Sequence, residues 1–344
     1  MVEIRVGHKG SFICQPEETI LAAGQRAGFG FPKACRNGNC GRCAGQLLNG
    51  CVLLPQDQQS QVNSQTKTGH VVCAGQLGSD TVLYCIAKAL SDCDIAEHLI
   101  TAPGELPVNT LRCQIADISP LNHNVSAVTL RLPAGQKVHW HAGQYLLLGE
   151  KQEAAFSIAN SVANGSSREL LLHIRHEEGN ASATALMAEL HEHATVLATL
   201  PLGERYIDQA PQQPIWFICG STGFAPARAM IERLAQLKFD LPVRLFRGGR
   251  QREDIYPSQW PAGTLEQLKD FQEVIAVDSG PAAGQFHGRV HEAALAALEQ
   301  PTVPLFHVGG SPAMAWATFD ALVAAGVPAT QIHSDVFDYA PRVS

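Results

Sequence analysis

Three cysteines within nine residues constrain this chain more than any other feature. Cys35, Cys40 and Cys43 follow the spacing C-x4-C-x2-C, and Cys73 comes thirty residues later. That pattern is a ligand spacing of [2Fe–2S] clusters. Three thiolates must converge from one tight loop on a small anionic cluster. Gly38 and Gly41 let the loop take φ > 0 and bring backbone N–H groups close to the sulfurs, where they stabilise negative charge and tune the potential. Cys73 closes the site from a separate segment. The competing reading is a zinc site, which more often shows two C-x2-C pairs. The metal ligands expected from the spacing are Cys35, Cys40, Cys43 and Cys73.

A chain of 344 residues exceeds one compact core and implies two or three domains. It has no apolar run of membrane-spanning length, and its N-terminus, Met1-Val2-Glu3-Ile4-Arg5-Val6, reads as a strand and not as a signal peptide. Ten cysteines without an export signal suit a reducing, cytoplasmic setting. Cys14, Cys51, Cys85, Cys93, Cys113 and Cys219 are scattered and read as small buried hydrophobes. Residues 1–90 hold eight Lys/Arg against five Asp/Glu, although the whole chain is at −7. That contrast suggests a basic first domain on a linker, docking electrostatically on an acidic remainder. So few basic residues without interleaved aromatics argue against nucleic-acid binding.

Residues 2–6 and 11–14 alternate around His8-Lys9-Gly10 and read as a hairpin. Pro16-Glu17-Glu18-Thr19 opens a helix to about Ala27, with acids where the dipole favours them. The cysteine loop follows, then strands at 44–54, 71–74 and 81–86. Over residues 1–88 this order around a cysteine loop resembles the β-grasp fold of plant-type ferredoxins. Residues 91–107, with Asp92, Asp94, Glu97, Pro103-Gly104 and Pro107, read as a linker.

From Leu111 short strands recur at 111–118, 125–132, 144–149, 154–159 and 169–175, which suggests a small antiparallel barrel over 108–208. Here Ala142-Gly143-Gln144-Tyr145 and Ala155-Phe156-Ser157-Ile158 resemble the flavin domain of the ferredoxin–NADP reductase superfamily. The resemblance implies FAD bound along Tyr145, Phe156, Ser157 and Ile158, with the Ser157 hydroxyl at the redox-active edge. Gly179-Asn180-Ala181-Ser182 is similar to that family's second flavin stretch, so Gly179, Ala181 and Ser182 are expected to present N–H groups to phosphate at a helix start. Ala154 stands where the family has an arginine for the flavin phosphates, which removes a bidentate charge partner.

The last segment, 209–344, alternates strands and helices and implies a parallel sheet wound on both faces. Ile215-Trp216-Phe217-Ile218-Cys219 runs into Gly220-Ser221-Thr222-Gly223-Phe224-Ala225-Pro226 and a helix, the strand–turn–helix cradle for phosphate. Leu305-Phe306-His307-Val308 ends in Gly309-Gly310-Ser311-Pro312. This order is similar to the NAD(P)-binding half of the same superfamily and implies nucleotide contacts at Gly220, Thr222, Gly223, Pro226, Gly310 and Pro312. The family usually has cysteine where this chain has Gly309. Phe337, in a terminal stretch similar to the family's, is expected beside the flavin. Arg247 and Arg250 lie where a 2′-phosphate would favour NADPH, whereas the Gly249-Arg250…Asp254-Ile255-Tyr256 run is of a kind associated with NADH. His139-Trp140-His141 and His191-Glu192-His193 lack further ligands and read as surface histidines.

The fold class expected is therefore multidomain α/β and β: a β-grasp ferredoxin domain, an antiparallel β-barrel flavin domain and a doubly wound parallel α/β nucleotide domain. The order resembles reductase components of multicomponent oxygenases and of deoxysugar dehydratases. It implies electrons passing from NADH (NADPH as the variant) through FAD and a [2Fe–2S] cluster to a partner protein. Two alternatives stay open: an NAD(P)H:flavin or quinone reductase, and a non-catalytic iron–sulfur carrier with a decayed flavin site.

Overall fold

The computed structural model describes all residues except 33–34, 56–69, 76–80, 98, 137, 151–152, 163–167, 177–180, 299–302 and 343–344. The chain divides into two compact units, Met1–Asn109 and Thr110–Ser344.

In the first unit, β1 (Val2–Val6), β2 (Ser11–Cys14), α1 (Ile20–Arg26), β3 (Ala44–Asn49), β4 (Cys51–Leu54), β5 (His70–Cys73), β6 (Thr81–Leu83), β7 (Lys88–Ala89) and β8 (Cys93–Ile95) follow in order. The main sheet runs β2-β1-β8-β3-β6, and β5-β4-β7 form a smaller one. Helix α1 starts later than the acid-rich tetrapeptide suggests. Thr19 is its N-cap and accepts from the Ala22 amide at 3.2 Å, which satisfies a donor that the helix cannot. Ile20, Leu21 and Ala23 pack beneath it with Ile4, Val6, Phe31, Leu47 and Ile95.

The expected linker is folded into this unit. β8 pairs in parallel with β1 (Ile4↔Cys93, Val6↔Ile95) and antiparallel with β3. Arg5 Nε donates to Asp94 at 2.6 Å, and Thr101 bridges Gly30. Asp92, Asp94, Glu97 and Glu105 therefore belong to the first unit, and they cancel the basic excess counted over 1–90. Electrostatic docking of a basic domain has no support once that boundary moves.

The second unit holds two sheets. The first contains β9 (Asn109–Pro120), β10 (Val125–Arg131), β11 (Tyr145–Leu148), β12 (Ala154–Ser157), β13 (Glu169–Arg175), α2 (Ala181–Glu192) and β14 (Thr195–Leu202). Its order is β12-β11-β14-β9-β10-β13, and a bridge between Ile158 and Leu172 joins the two edges. That closure makes the barrel and removes the open edges. The second sheet follows from β15 (Ile215–Gly220), α3 (Phe224–Gln236), β16 (Val243–Gly249), β17 (Phe271–Val277), β18 (Phe286–His287), α4 (Val290–Ala296), β19 (Leu305–Gly309), α5 (Pro312–Ala324), β20 (Ile332–His333) and α6 (Val336–Tyr339). Its order is β18-β17-β16-β15-β19-β20, with every pair parallel. Alternate residues of β15 face opposite layers. Ile215, Phe217 and Cys219 pack with α3, while Trp216 and Ile218 pack with α4 and α5. The β-barrel and the doubly wound parallel sheet are those expected.

Because β8 lies between β1 and β3, a fragment ending at residue 90 lacks the middle strand of its sheet. A 1–90 fragment is expected to stay unfolded by circular dichroism and amide dispersion, while 1–109 folds. A cooperative melt from 1–90 would contradict this.

Candidate functional site

The cysteine loop is shaped by left-handed backbone. Arg36, Gly38 and Gly41 have φ of 60, 86 and 71°. A Cβ on Gly41 would meet nothing within 4 Å, so that glycine serves backbone conformation and not space. The fold turns N–H groups toward Cys35, with the Cys40 amide 3.3 Å from its sulfur. Amides of Asn37 and Cys40 pull the Cys35 thiol down to about 6, so the thiolate needed for iron is favoured. Cys43 is buried beside Cys85, and burial pushes it up to about 12.

Cys73 is placed differently. It lies opposite Cys51 in the β4–β5 ladder, 4.0 Å between Cα atoms, and the two form a disulfide. Among the described residues no group of three or more His, Cys, Asp or Glu is arranged to hold a metal ion. The loop suits a cluster by its left-handed turns and by the N–H groups on Cys35. The fourth thiolate requires the Cys51–Cys73 bond to be reduced, because a sulfur in a disulfide cannot also be a thiolate ligand. Sequence reading passed over Cys51, whose only signal is the register of two short strands.

Of the residues expected to hold flavin, Tyr145 and Ser157 share one face of the β11–β12 pair, whereas Phe156 lies on the opposite face and packs against the barrel core beside Leu146. Tyr145 pairs with Ser157 and Leu146 with Phe156. Ile158 is fully buried in the barrel core, so only its backbone faces the edge, with its amide donating to Gln144 O at 3.0 Å. Ala181 and Ser182 open α2, and Gly179 lies outside the described residues. Ala154 pairs with Leu148 and packs on the barrel core. Phe337 is not with these residues. Its ring packs on Trp316 and Phe319 at 4.4 and 5.4 Å, so it is a hydrophobic filler against α5. From the terminal stretch, the groups whose charges reach Tyr145 are instead Asp335 and Asp338. Burial raises the Tyr145 hydroxyl, and the charges of Asp335 and Asp338 raise it further.

The residues expected to contact the nucleotide converge where β15 and β19 end side by side, with Cys219 paired to Gly309. Gly220, Thr222 and Gly223 form a tight turn into α3, and Pro226 sits in that helix's first turn. Gly310 leads to α5, where Ser311 is the N-cap and Pro312 the first helical residue. Both helix N-termini point to the same carboxyl end of the sheet, the arrangement that binds phosphate. The two turns touch backbone to backbone. A Cβ on Gly309 would lie 2.4 Å from Gly223 O, so this packing excludes the family's cysteine. A small cleft opens there, lined by Arg205, Cys219, Gly223, Gly309, His333 and Asp335 among others.

Arg247 does not await a 2′-phosphate. It is buried, lies 4.0 Å over the Phe224 ring, donates to Tyr256 O at 2.7 Å and pairs with Glu273 at 3.3 Å. Tyr256 in turn bonds His173 Nδ1 of β13 at 3.0 Å and reaches Ser221 O at 3.5 Å. Burial and the nearby guanidinium groups of Arg228 and Arg247 push His173 down to about 3, so it is neutral at physiological pH.

Residues 4–90 match the family model described as the 2Fe-2S iron-sulfur cluster binding domain. Residues 217–319 match the oxidoreductase NAD-binding domain. The chain is similar to the terephthalate 1,2-dioxygenase reductase component 1 of a Comamonas species, 28% identical over 338 residues, covering 97% of this chain and 96% of the relative. It is similar to the CDP-6-deoxy-L-threo-D-glycero-4-hexulose-3-dehydrase reductase of Yersinia pestis, 26% identical over 330 residues and 95% of each chain. Among solved structures the Amycolatopsis cytochrome P450 reductase GcoB has the same fold, with TM-score 0.65, 24% identity, and 97% of this chain and 98% of that one covered. The ferredoxin reductase in carbazole 1,9a-dioxygenase gives 0.62 at 23% identity over 97% of each. Iron–sulfur domain, barrel and nucleotide sheet on one chain define an NAD(P)H-dependent iron–sulfur oxidoreductase. In domain content and order the chain is similar to reductase components that carry an N-terminal [2Fe–2S] domain.

Two outcomes follow from this geometry. Asp335, ordinarily at 3.8, is pushed up to about 6 by burial and by Asp338. A carboxyl raised on folding stabilises the fold fully below its unfolded value and loses that contribution as pH rises through its folded value. Asp335→Asn should flatten the melting temperature between about pH 4 and 6 and stabilise the protein at neutral pH, by at most about 3 kcal/mol. An unchanged pH slope would refute it. For the cysteines, Cys73→Ser should abolish the visible iron–sulfur bands and the bound iron, while Cys51→Ser retains both. The reverse result would make Cys51 the ligand.

Proposed function

We propose that this protein oxidises NADH and passes the electrons one at a time, by way of FAD and a [2Fe–2S] cluster, to an oxygenase or hydroxylase component or a comparable partner protein. One observation carries the reading: the edge at Tyr145 and Ser157 and the nucleotide turn at Gly220–Gly223 occur together in a unit preceded by a cysteine loop. The terephthalate dioxygenase and dehydrase reductases, similar over almost their whole length, support a partner of that kind. Bound flavin supplies the step from a two-electron hydride donor to a one-electron acceptor.

The chain's own residues have distinct tasks in this reading. Cys35, Cys40, Cys43 and Cys73 hold the iron. Ser157 places a hydroxyl at the flavin edge with Tyr145 beside it, while Phe156 packs on the barrel core and supports that strand from behind. Ala181 and Ser182 offer helix N-terminal amides to the flavin pyrophosphate, in place of the arginine that Ala154 does not supply. Gly220, Thr222, Gly223 and Pro226 cradle the nicotinamide nucleotide's phosphates from one helix start, and Gly310 and Pro312 border them from the other. With Arg247 committed to Tyr256 and Glu273, the site has one guanidinium fewer for a 2′-phosphate, which favours NADH. Eight of the ten cysteines are free thiols, consistent with a cytoplasmic setting. No helix among the described residues is long and apolar enough to cross a membrane.

The test is the visible spectrum of anaerobically purified protein before and after NADH. Flavin bands and an iron–sulfur shoulder should both bleach. Cluster bands without flavin would favour an electron carrier. Bleaching of flavin alone, with turnover of quinones but not of cytochrome c, would favour a quinone reductase.

A further inference from the structure

We propose that Arg228 and Glu232 are positioning residues for hydride transfer, clamping the backbone that follows the flavin strand onto the helix that opens at the nucleotide turn. The inference rests on the functional reading above and assigns a task to two residues outside both binding motifs.

Arg228 lies in the second turn of α3, whose N-terminus is the nucleotide turn. Its guanidinium leaves the nucleotide sheet for the barrel. Nη1 donates to Ala159 O at 2.7 Å, Nη2 to Gln259 O at 2.8 Å and Nε to Ser258 O at 3.2 Å. One turn further along the helix, Glu232 lies 2.6 Å from Nη1. Its other oxygen accepts from the Ser161 amide at 2.8 Å. The pair thus holds both a carbonyl and an amide of the segment Ala159–Ser161. Ala159 is two residues past Ser157, and its own amide bonds Leu171 O of β13 at 2.7 Å. The flavin edge is therefore fixed to α3 through the planar fork of one arginine.

The side chains are only 5% and 8% exposed. Replacing such a pair by apolar groups is often neutral or stabilising, so stability alone does not account for it. Geometry does. Hydride transfer needs donor and acceptor atoms about 3–3.5 Å apart, and an error of about 1 Å can cost about a hundredfold in rate. The flavin strand and the nucleotide turn belong to different sheets, and their spacing is set by what crosses between them. The His173–Tyr256–Ser221 chain is a second crossing that ends in the turn itself.

The experiment compares wild type, the double variant R228M/E232Q and R228K. Glutamine at 232 keeps an acceptor for the Ser161 amide while both charges go. Rapid anaerobic mixing with saturating NADH reads flavin bleaching. Flavin content, melting temperature and the dissociation constant for NAD⁺ are read alongside. Amide exchange of the peptide spanning Ala159–Ser161 is measured in protein stripped of flavin. The expected result is bleaching slowed about 10- to 100-fold, faster exchange of that peptide, and an unchanged NAD⁺ constant, with partial recovery in R228K. A merely structural role would lower the melting temperature or flavin content and leave bleaching in the flavin-loaded fraction at the wild-type rate, and that result would overturn the proposal. If the double variant does not fold, R228K decides: a slowed rate supports the clamp and a wild-type rate overturns it. Failure of the wild type itself to bleach with NADH would instead defeat the functional reading, while the exchange measurement would still report on the clamp.

Discussion

The contact between Gly223 and Gly309 governs the second unit's chemistry. Adjacent parallel strands lie about 4.8 Å apart, and here both end in turns that lead straight into helices. For α3 and α5 to aim their N-termini at one ligand, the turns must close on each other without side chains. They do so at the limit: a Cβ on Gly223 would lie 2.1 Å from the Gly309 carbonyl carbon. Overpacking of this kind typically costs about 1–3 kcal/mol when a backbone must shift. The absence of the family's cysteine at 309 is thus part of how this cleft closes. Cys219, paired with Gly309 in register, lies buried at the base of the cleft against the apolar layer under α3, and burial pushes its thiol up to about 12.

Charges behind that contact are arranged for order more than for strength. Exposed pairs such as Arg131–Glu169, at 45% and 51% exposure, contribute about 0–1 kcal/mol. Arg228 and Arg247 are different. Each is buried, and each donates to backbone carbonyls of the segment Tyr256–Gln259. Burial lowers Arg228 and raises Glu232, which is the desolvation cost of holding both there. What that cost secures is a single arrangement of barrel and nucleotide sheet around the cleft.

Much of this was legible because it is local. The cysteine loop, the turn at Gly220–Gly223 and the alternation of strands and helices each lie within a few consecutive residues, and spacing alone reports them. What escaped depends on partners far away in sequence. β8 has three residues, Cys93-Asp94-Ile95, and its one acid looks like linker until Arg5, 89 positions earlier, is seen to hold Asp94. Arg247 has the right place for a 2′-phosphate contact, but rings and a carboxylate from three other segments occupy it. Phe337 sits in a stretch of the expected kind, yet Trp316 offers it a better apolar surface than an open cleft does. Sequence spacing states what a side chain can do, and competition among neighbours decides what it does.

Cys73 shows the same competition at the level of a single sulfur. Its position in the spacing marks it for iron, and its position in the ladder places it beside Cys51. Strand pairing brings the Cys51 and Cys73 sulfurs together whether or not they are bonded. The choice is therefore set by chemistry outside the fold, through the thiol–disulfide poise of the surroundings. In a reducing compartment the ladder offers two thiols, and the loop, with Cys35 already favoured as thiolate, provides the other half of the site. Under oxidising conditions the nearer sulfur wins, because a partner fixed across a strand pair needs little loop-closure entropy to be reached.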